Sequence, residues 1–500
     1  MKCRTRKRKR RVLSMALAAA LVAGTVPVTA FESHAAPDEG QEIKDSGKNA
    51  LRLWYTEPSS QGGKTGEDDV WQEYTLPIGN GDMGANVYGE VGKERMTFNE
   101  KTLWTGGPSE SRPDYNGGNL ESQGQHGETM KQIQQLFAEG KDSEASSLCN
   151  QLTGTSDGYG AYQSWGNIYF ESKNLDESDV TGYVRDLDLT TAVAGVSFDS
   201  GGTHYEREYF VSNPDNVFVV HFTADGADKL DLDITFPSNQ GGVTVAEGDT
   251  LVLAGEVSDN QMKYDSVLKA VPEGGSVTAE GDTLVVEDAE ALTVYVSADT
   301  DYKNEYPEYR TGETAEELHQ KVEDTVEAAA AKSYDEVKQT HIEDYSSLFS
   351  RVDLDLGQTV SEKPTDELLA AYNGGTASEE ERRQIEVMLF QYGRYLMLSS
   401  SRENSELPSN LQGVWNNKNN PQWSSDYHMN VNLQMNYWPA YSTNLAECAD
   451  PLIRYVDSLR EPGRVTASVY AGIDSENGEE NGFMAHTQNT PFGWTCPGWD

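Results

Sequence analysis

Residues 203–224 read THYEREYFVSNPDNVFVVHFTA, and this stretch decides the fold of the first half of the chain. Its two arms, 203–212 and 216–224, are rich in the aromatic and β-branched residues that suit a pleated, half-buried surface, with Asn and Asp between them. Runs of the same character recur at LRLWYTE (51–57), KLDLDITF (229–236) and LTVYVSA (292–298), each set off by Gly, Asn or Asp. Short strands at this spacing predict an antiparallel β-sandwich over residues 51–305. One helical interruption is expected between Glu128 and Leu152, where Met130, Ile133 and Phe137 recur at helical intervals in a polar background.

The period changes after Tyr309. ETAEELHQKVEDTVEAAAAKSYDEVKQTHIEDYSSLF (313–349) is rich in helix formers with apolar residues at helical spacing, which makes residues 306–375 a helical linker. After the Asn373-Gly374-Gly375 break, Ser378 and Glu381 make a capping box. Ile385, Met388, Leu389, Tyr392 and Leu396 then form one apolar stripe, so a helical domain begins near residue 376 and runs to 500. The predicted class is therefore multidomain β then α, and a length of 500 at roughly 150 residues per domain allows about three units.

Toward the N-terminus, eight Lys and Arg residues between Lys2 and Arg11 precede the uncharged run Val12–Phe31, and Ser33-His34-Ala35 offers a cleavage site. Residues 1–35 thus read as a signal peptide and 36–50 as a polar tether, which predicts a secreted or cell-surface protein with no membrane insertion after cleavage. The whole chain has 39 Lys and Arg against 82 Asp and Glu, net −43, and removing the signal leaves 31 against 81, net −50. Such a surface repels nucleic acid and anionic membranes. Nine Trp and 25 Tyr exclude a disordered acidic chain. Cys149, Cys448 and Cys496 are too far apart and too few for a disulfide framework, and buried free thiols are expected.

The densest polar and aromatic stretch is PSNLQGVWNNKNNPQWSSDYHMNVNLQMNYWPAYSTNLAE, Pro408–Glu447. Amides exchange hydrogen bonds with hydroxyls and flat rings cover the C–H faces of a pyranose, so this composition suits sugar recognition; Asn-rich turns without a ligand are the alternative. If His428-Met429-Asn430-Val431-Asn432 is extended, His428, Asn430 and Asn432 share one face. An amide can orient a water but cannot take its proton, so a hydrolase built on these asparagines needs carboxylates from elsewhere. A hydrogen-bonded polar seam before the next helix is the other reading. Proximity makes Gln412, Trp415 and Trp494 further candidates for substrate contact, although most tryptophans in helical domains are core. His428, His486 and Asp426 lack the spacing of a helical metal site, and no nucleotide-binding glycine loop or G-x-S-x-G elbow occurs, so neither a metal nor another cofactor is expected.

The Pro408–Glu447 stretch resembles the catalytic-domain signature of glycoside hydrolase family 95, the inverting 1,2-α-L-fucosidases. Leu76–Pro108, LPIGNGDMGANVYGEVGKERMTFNEKTLWTGGP, is similar to the opening signature of that family's N-terminal β-domain. Within it Asn80-Gly81-Asp82 reads as a tight turn, and Asn99, Glu100 and Trp104 as packing between domains. The resemblance implies an N-terminal β-sandwich, a helical linker, the first part of an (α/α)6 barrel, and fucosylated oligosaccharides or glycoconjugates as partners. It assigns Asn432 and Asn430 to orienting the attacking water and His428 to the neighbourhood of the sugar C6 methyl. It places the general acid Glu and its partner Asp further along the barrel than residue 500. An α-L-galactosidase of the same family and a non-catalytic glycan-binding or cell-surface protein are the alternatives.

Overall fold

The computed structural model describes residues 50–64, 66–120, 126–473 and 482–498. The predicted signal peptide, the tether up to residue 49, and Trp499 and Asp500 at the end of the predicted barrel segment lie outside them.

Up to residue 300 the described chain is mainly strand. β1 (Arg52–Tyr55), β2 (Leu76–Gly79), β3 (Met83–Val87), β4 (Lys93–Glu100), β5 (Gly166–Ser172) and β6 (Thr181–Asp188) come first. β7 (Val193–Ser200), β8 (Thr203–Ser212), β9 (Val217–Asp225), β10 (Leu230–Thr235) and β11 (Val243–Glu247) follow. β12 (Thr250–Glu256), β13 (Lys263–Glu273), β14 (Ser276–Glu280), β15 (Thr283–Ala289) and β16 (Ala291–Thr300) complete the set. They form two antiparallel sheets, in the orders β1-β6-β7-β8-β9-β16-β13-β12-β11 and β14-β15-β10-β5-β4-β3-β2. The two arms of the opening stretch are β8 and β9, paired with Phe210 opposite Val219.

The sheets face one another. Phe98 of β4 stacks on Phe218 of β9, centroids 6.2 Å apart, and Trp165 and Phe236 meet Phe98 edge-on. β9 opens with the unbroken apolar run Val217–Val220 because both its faces are covered there: Phe218, Val220 and Phe222 enter the sandwich, while Val217 and Val219 pack under helices from the linker.

Among the described residues, α1 (Glu67–Tyr74), α2 (His126–Ala138) and α3 (Asp142–Cys149) interrupt the strands. The single helical stretch expected between Glu128 and Leu152 is two helices, because Gly140 sits at φ +73° and breaks the run. The linker contributes α4 (Ala315–Ala330) and α5 (Tyr334–Phe349), each opened by a capping box, Thr314 with Glu317 and Ser333 with Glu336. Val322, Val326, Ala329 and Val337 on these helices cover the nine-stranded sheet.

α6 (Thr365–Asn373) and α7 (Glu379–Ser400) follow, and α7 begins at the predicted Ser378–Glu381 box. Its expected apolar stripe is only partly packed: Ile385 and Met388 are buried, but Leu389 is 71% exposed. These three and Tyr392 line a cavity of about 490 Å³ against Tyr55 and Trp71 of the sandwich side. The better buried face of α7 carries Arg394, whose guanidinium donates to the carbonyls of Leu348, Phe349 and Thr443. One buried cation thereby satisfies the end of α5 and the end of α8 (Asn432–Ser442) at once. α9 (Asp450–Ser458) and α10 (Arg460–Thr466) complete the described α-helices, and a π-helical turn, Ala467–Ala471, follows.

Candidate active site

The Leu76–Pro108 signature is the surface on which the Pro408–Glu447 loop is mounted. At Gly79 a Cβ atom would stand 2.4 Å from the carbonyl oxygen of Ser399, so only glycine lets β2 run this close to the end of α7. The Gly81 N–H donates to the same carbonyl at 3.0 Å. Lys101 is fully buried and donates to the carbonyls of Ser400 and Leu407 at 2.7 and 3.1 Å. Burial pushes its ammonium down to about 8, against the attraction of Asp82 and Glu100. Burial likewise raises Glu100 well above the usual carboxylate range, with Asp299 adding to it, and raises Asp82.

Further along, Asn99 accepts from the Asn416 N–H at 2.9 Å, Trp415 Nε1 donates to the Ile78 carbonyl at 2.8 Å, and the Tyr162 hydroxyl donates to the Val414 carbonyl at 2.7 Å. Each bond crosses from the sandwich side to the loop. The expected Asn80 turn is present, with its side-chain oxygen accepting from the Asp82 and Met83 N–H groups.

The loop then does something costly. Trp423, Ser424 and Ser425 have φ of 56°, 55° and 49°, three consecutive non-glycine residues in the left-handed region. The strained turn is held by Tyr162 N–H on the Ser424 carbonyl at 2.9 Å and by the Ser425 hydroxyl on Gln412 Oε1. It delivers Asp426 into the interior, where one carboxylate oxygen accepts from the Tyr159 hydroxyl and the other meets His428 Nδ1. The Trp423 ring stands edge-on to the imidazole, 5.7 Å away at 78°, and is 63% exposed. Segment 487–489 runs alongside, its Asn489 and Thr487 carbonyls accepting from the Tyr427 and Met429 N–H groups at 2.9 and 2.7 Å.

The extended reading of 428–432 is corrected here. The chain turns at Met429–Val431, and Asn432 opens α8, so the two-residue alternation ends before both asparagines share a face with His428. The reason is local: the Leu433 N–H donates to the His428 carbonyl at 2.9 Å, and the helix ladder takes over from Asn432. His428 is 7% exposed, whereas Asn430 and Asn432 are on the surface, with Asn430 Oδ1 accepting from the neighbouring Val431 N–H.

The other candidates occupy different layers. Gln412 and Trp415 line the 490 Å³ cavity, and Gln412 also holds the strained turn. Trp494 is fully buried and packs edge-on against Tyr159 with centroids 5.0 Å apart, so it backs the residue that holds Asp426. Tyr159 carried no signal in the sequence, since it lies in a glycine-rich loop 267 positions from its partner. Asp426 was legible only as a neighbour of His428. Among the described residues no group of three His, Cys, Asp or Glu is placed to hold a metal ion.

Known proteins resemble this chain along most of its length. Residues 53–305 match the model of the glycosyl hydrolase family 65 N-terminal domain, and residues 333–500 match that of the glycosyl hydrolase family 95 catalytic domain. "Probable alpha-fucosidase A" of Aspergillus niger is 35% identical over 435 residues, covering 84% of this chain and 52% of its own length. "Alpha-L-fucosidase 2" of Arabidopsis thaliana is 30% identical over 452 residues, covering 84% and 51%. The chain thus spans about half the length of these curated relatives. A solved structure titled "Putative kojibiose phosphorylase from human microbiome" superposes with a TM-score of 0.51 at 10% identity, over 84% of this chain and 50% of that one, and shares the fold. The chain belongs to the proteins that carry the glycosyl hydrolase family 65 N-terminal domain, which fills half of it, and its residues 333–500 are similar to the glycosyl hydrolase family 95 catalytic domain.

Proposed function

We propose that this protein is an exported α-L-fucosidase that removes terminal, α-1,2-linked L-fucose from glycans with inversion of configuration. The observation that carries the reading is the pair of domain matches, in order and over most of the chain, together with 30–35% identity to proteins named as α-fucosidases. The cationic, apolar and small-residue layout of residues 1–35 supports export, and among the described residues no helix is long and apolar enough to cross a membrane. A net charge of −50 once residues 1–35 are removed favours neutral fucosylated glycans over sulfated or sialylated ones.

Inversion needs an acid to protonate the leaving oxygen and a base on the opposite face to activate water, their carboxyl groups roughly 6.5–9.5 Å apart. Asn430 and Asn432, exposed at the start of α8, are suited to orienting that water, since their amides both donate and accept. Asp426, the acid closest to them in sequence, is not available for proton transfer because Tyr159 and His428 occupy its two oxygens. The general acid and its partner carboxylate are therefore assigned outside this loop. Exposed Trp423 beside His428 offers an apolar face to a sugar ring.

The test is incubation of the native protein with 2'-fucosyllactose, following released fucose by proton NMR. The β anomer of L-fucose is expected first, because inversion of an α-linkage yields β. Release of the α anomer first would overturn the inverting mechanism, and no release from any α-L-fucoside would overturn the fucosidase reading.

A further inference from the structure

The environment of His428 is built from both domains. Asp426 is 2% exposed, His428 7% and Tyr159 7%. A carboxylate flanked by a phenolic hydroxyl on one oxygen and an imidazole on the other is an acceptor toward both, so the ring nitrogen that faces it, Nδ1, carries the proton. In a neutral imidazole the proton on Nδ1 leaves Nε2 as a lone-pair acceptor. Three constraints keep this arrangement from relaxing. Trp494 closes the space behind Tyr159. The left-handed triplet Trp423–Ser425 fixes the approach of Asp426, whose own N–H donates to the Trp423 carbonyl at 3.1 Å. The edge-on Trp423 ring limits rotation of the imidazole.

We propose that Tyr159 and Asp426 are positioning residues for His428: together they hold the imidazole as the Nδ1–H tautomer, so that the ring meets the sugar with an unprotonated Nε2, an acceptor for a hydroxyl rather than a second donor. Tyr159 belongs to the N-terminal domain and reaches across to the catalytic one, so the sandwich takes part in the chemistry of the site as well as in its support. The assignment rests on the fucosidase reading only for the identity of the ligand; the tautomer itself is a property of the free protein.

The experiment is long-range proton–nitrogen NMR of native protein labelled at histidine, with the His428 signals identified by their loss in His428→Gln. The Nδ1–H pattern is expected in the wild type. Asp426→Asn preserves shape but offers an amide N–H to Nδ1, so part of the signal should convert to the Nε2–H pattern. Tyr159→Phe should keep Nδ1 protonated and lower kcat/KM for fucose release about 10-fold, the loss expected for one hydrogen bond to a charged group. An Nε2–H pattern in the wild type, or an Asp426→Asn variant with unchanged tautomer and unchanged kcat/KM, would overturn the assignment and leave the fucosidase reading standing. A wild-type Nδ1–H pattern in a protein that neither releases fucose nor shifts its His428 signals when L-fucose is added would instead overturn the fucosidase reading, and with it the role of the pair in sugar binding.

Discussion

Trp104 stacks on Tyr427, their ring centroids 5.8 Å apart and their planes 29° from parallel. The first residue lies in the N-terminal signature and the second between Asp426 and His428, so the contact seats the site loop on the sandwich side. Both rings are fully buried, and Trp104 Nε1 is satisfied by the Lys101 carbonyl at 3.0 Å. Trp104→Ala is expected to cost about 4 kcal/mol of stability, as large aromatic truncations in cores do. Urea unfolding measures this, and a cost below about 1 kcal/mol would show that the stack is not part of the core.

Lys101 bridges two carbonyls of the helical domain from within a buried acidic pocket. Lys101→Met keeps the length of the side chain but leaves the Ser400 and Leu407 carbonyls without their donor. The expected loss is about 3 kcal/mol, mostly the penalty of two buried carbonyls left without a donor. Hydrogen exchange should quicken at residues 399–408 more than in the strands of the sandwich; uniform protection would contradict the bridging role.

His341 supplies a pH dependence. Burial holds its imidazole down to about 4 from 6.5, overcoming hydrogen bonds that include its Nε2–H on the Thr191 carbonyl at 3.0 Å. The unfolded chain takes up this proton near pH 6.5 and the folded chain only near 4, so between those values the unfolded state holds more protons and stability falls as pH falls. The loss is on the order of 3 kcal/mol by pH 4. His341→Gln removes the titration, so wild-type stability should decline relative to the variant from pH 7 to pH 4. Parallel curves would refute the assignment.

The left-handed triplet predicts an unusual gain. Ser424, at φ 55°, pays a steric cost that glycine avoids, and Ser424→Gly should raise stability by about 0.5 kcal/mol despite the added freedom of the unfolded chain. Destabilisation by Ser424→Gly, read from thermal melts, would mean that the turn is relaxed.

On the proposed fucosidase reading, Asn430 and Asn432 separate folding from function. Both are exposed, so Asn430→Ala and Asn432→Ala should change stability by less than about 0.5 kcal/mol. Fucose release should fall about 100-fold in Asn432→Ala, through misplacement of the attacking water. An active Asn432→Ala enzyme would remove that residue from the mechanism.

Much of this protein is determined locally and is therefore legible in the sequence. Strand and helix periods depend on neighbours along the chain, so the arms at 203–212 and 216–224 and the Ser378–Glu381 box could be placed from residue order alone. The Pro408–Glu447 stretch could be singled out by its composition, and it lies within the 333–500 match to the family 95 catalytic-domain model. Depth and pairing were decided only by the tertiary structure. Trp494 is close to the site in sequence yet fully buried, while Trp423 stands exposed beside His428. Leu389 belongs to a helical stripe whose partner surface is a cavity. Tyr159 meets Asp426 across 267 positions, and such a contact follows from how two domains close on one another, which no local period encodes.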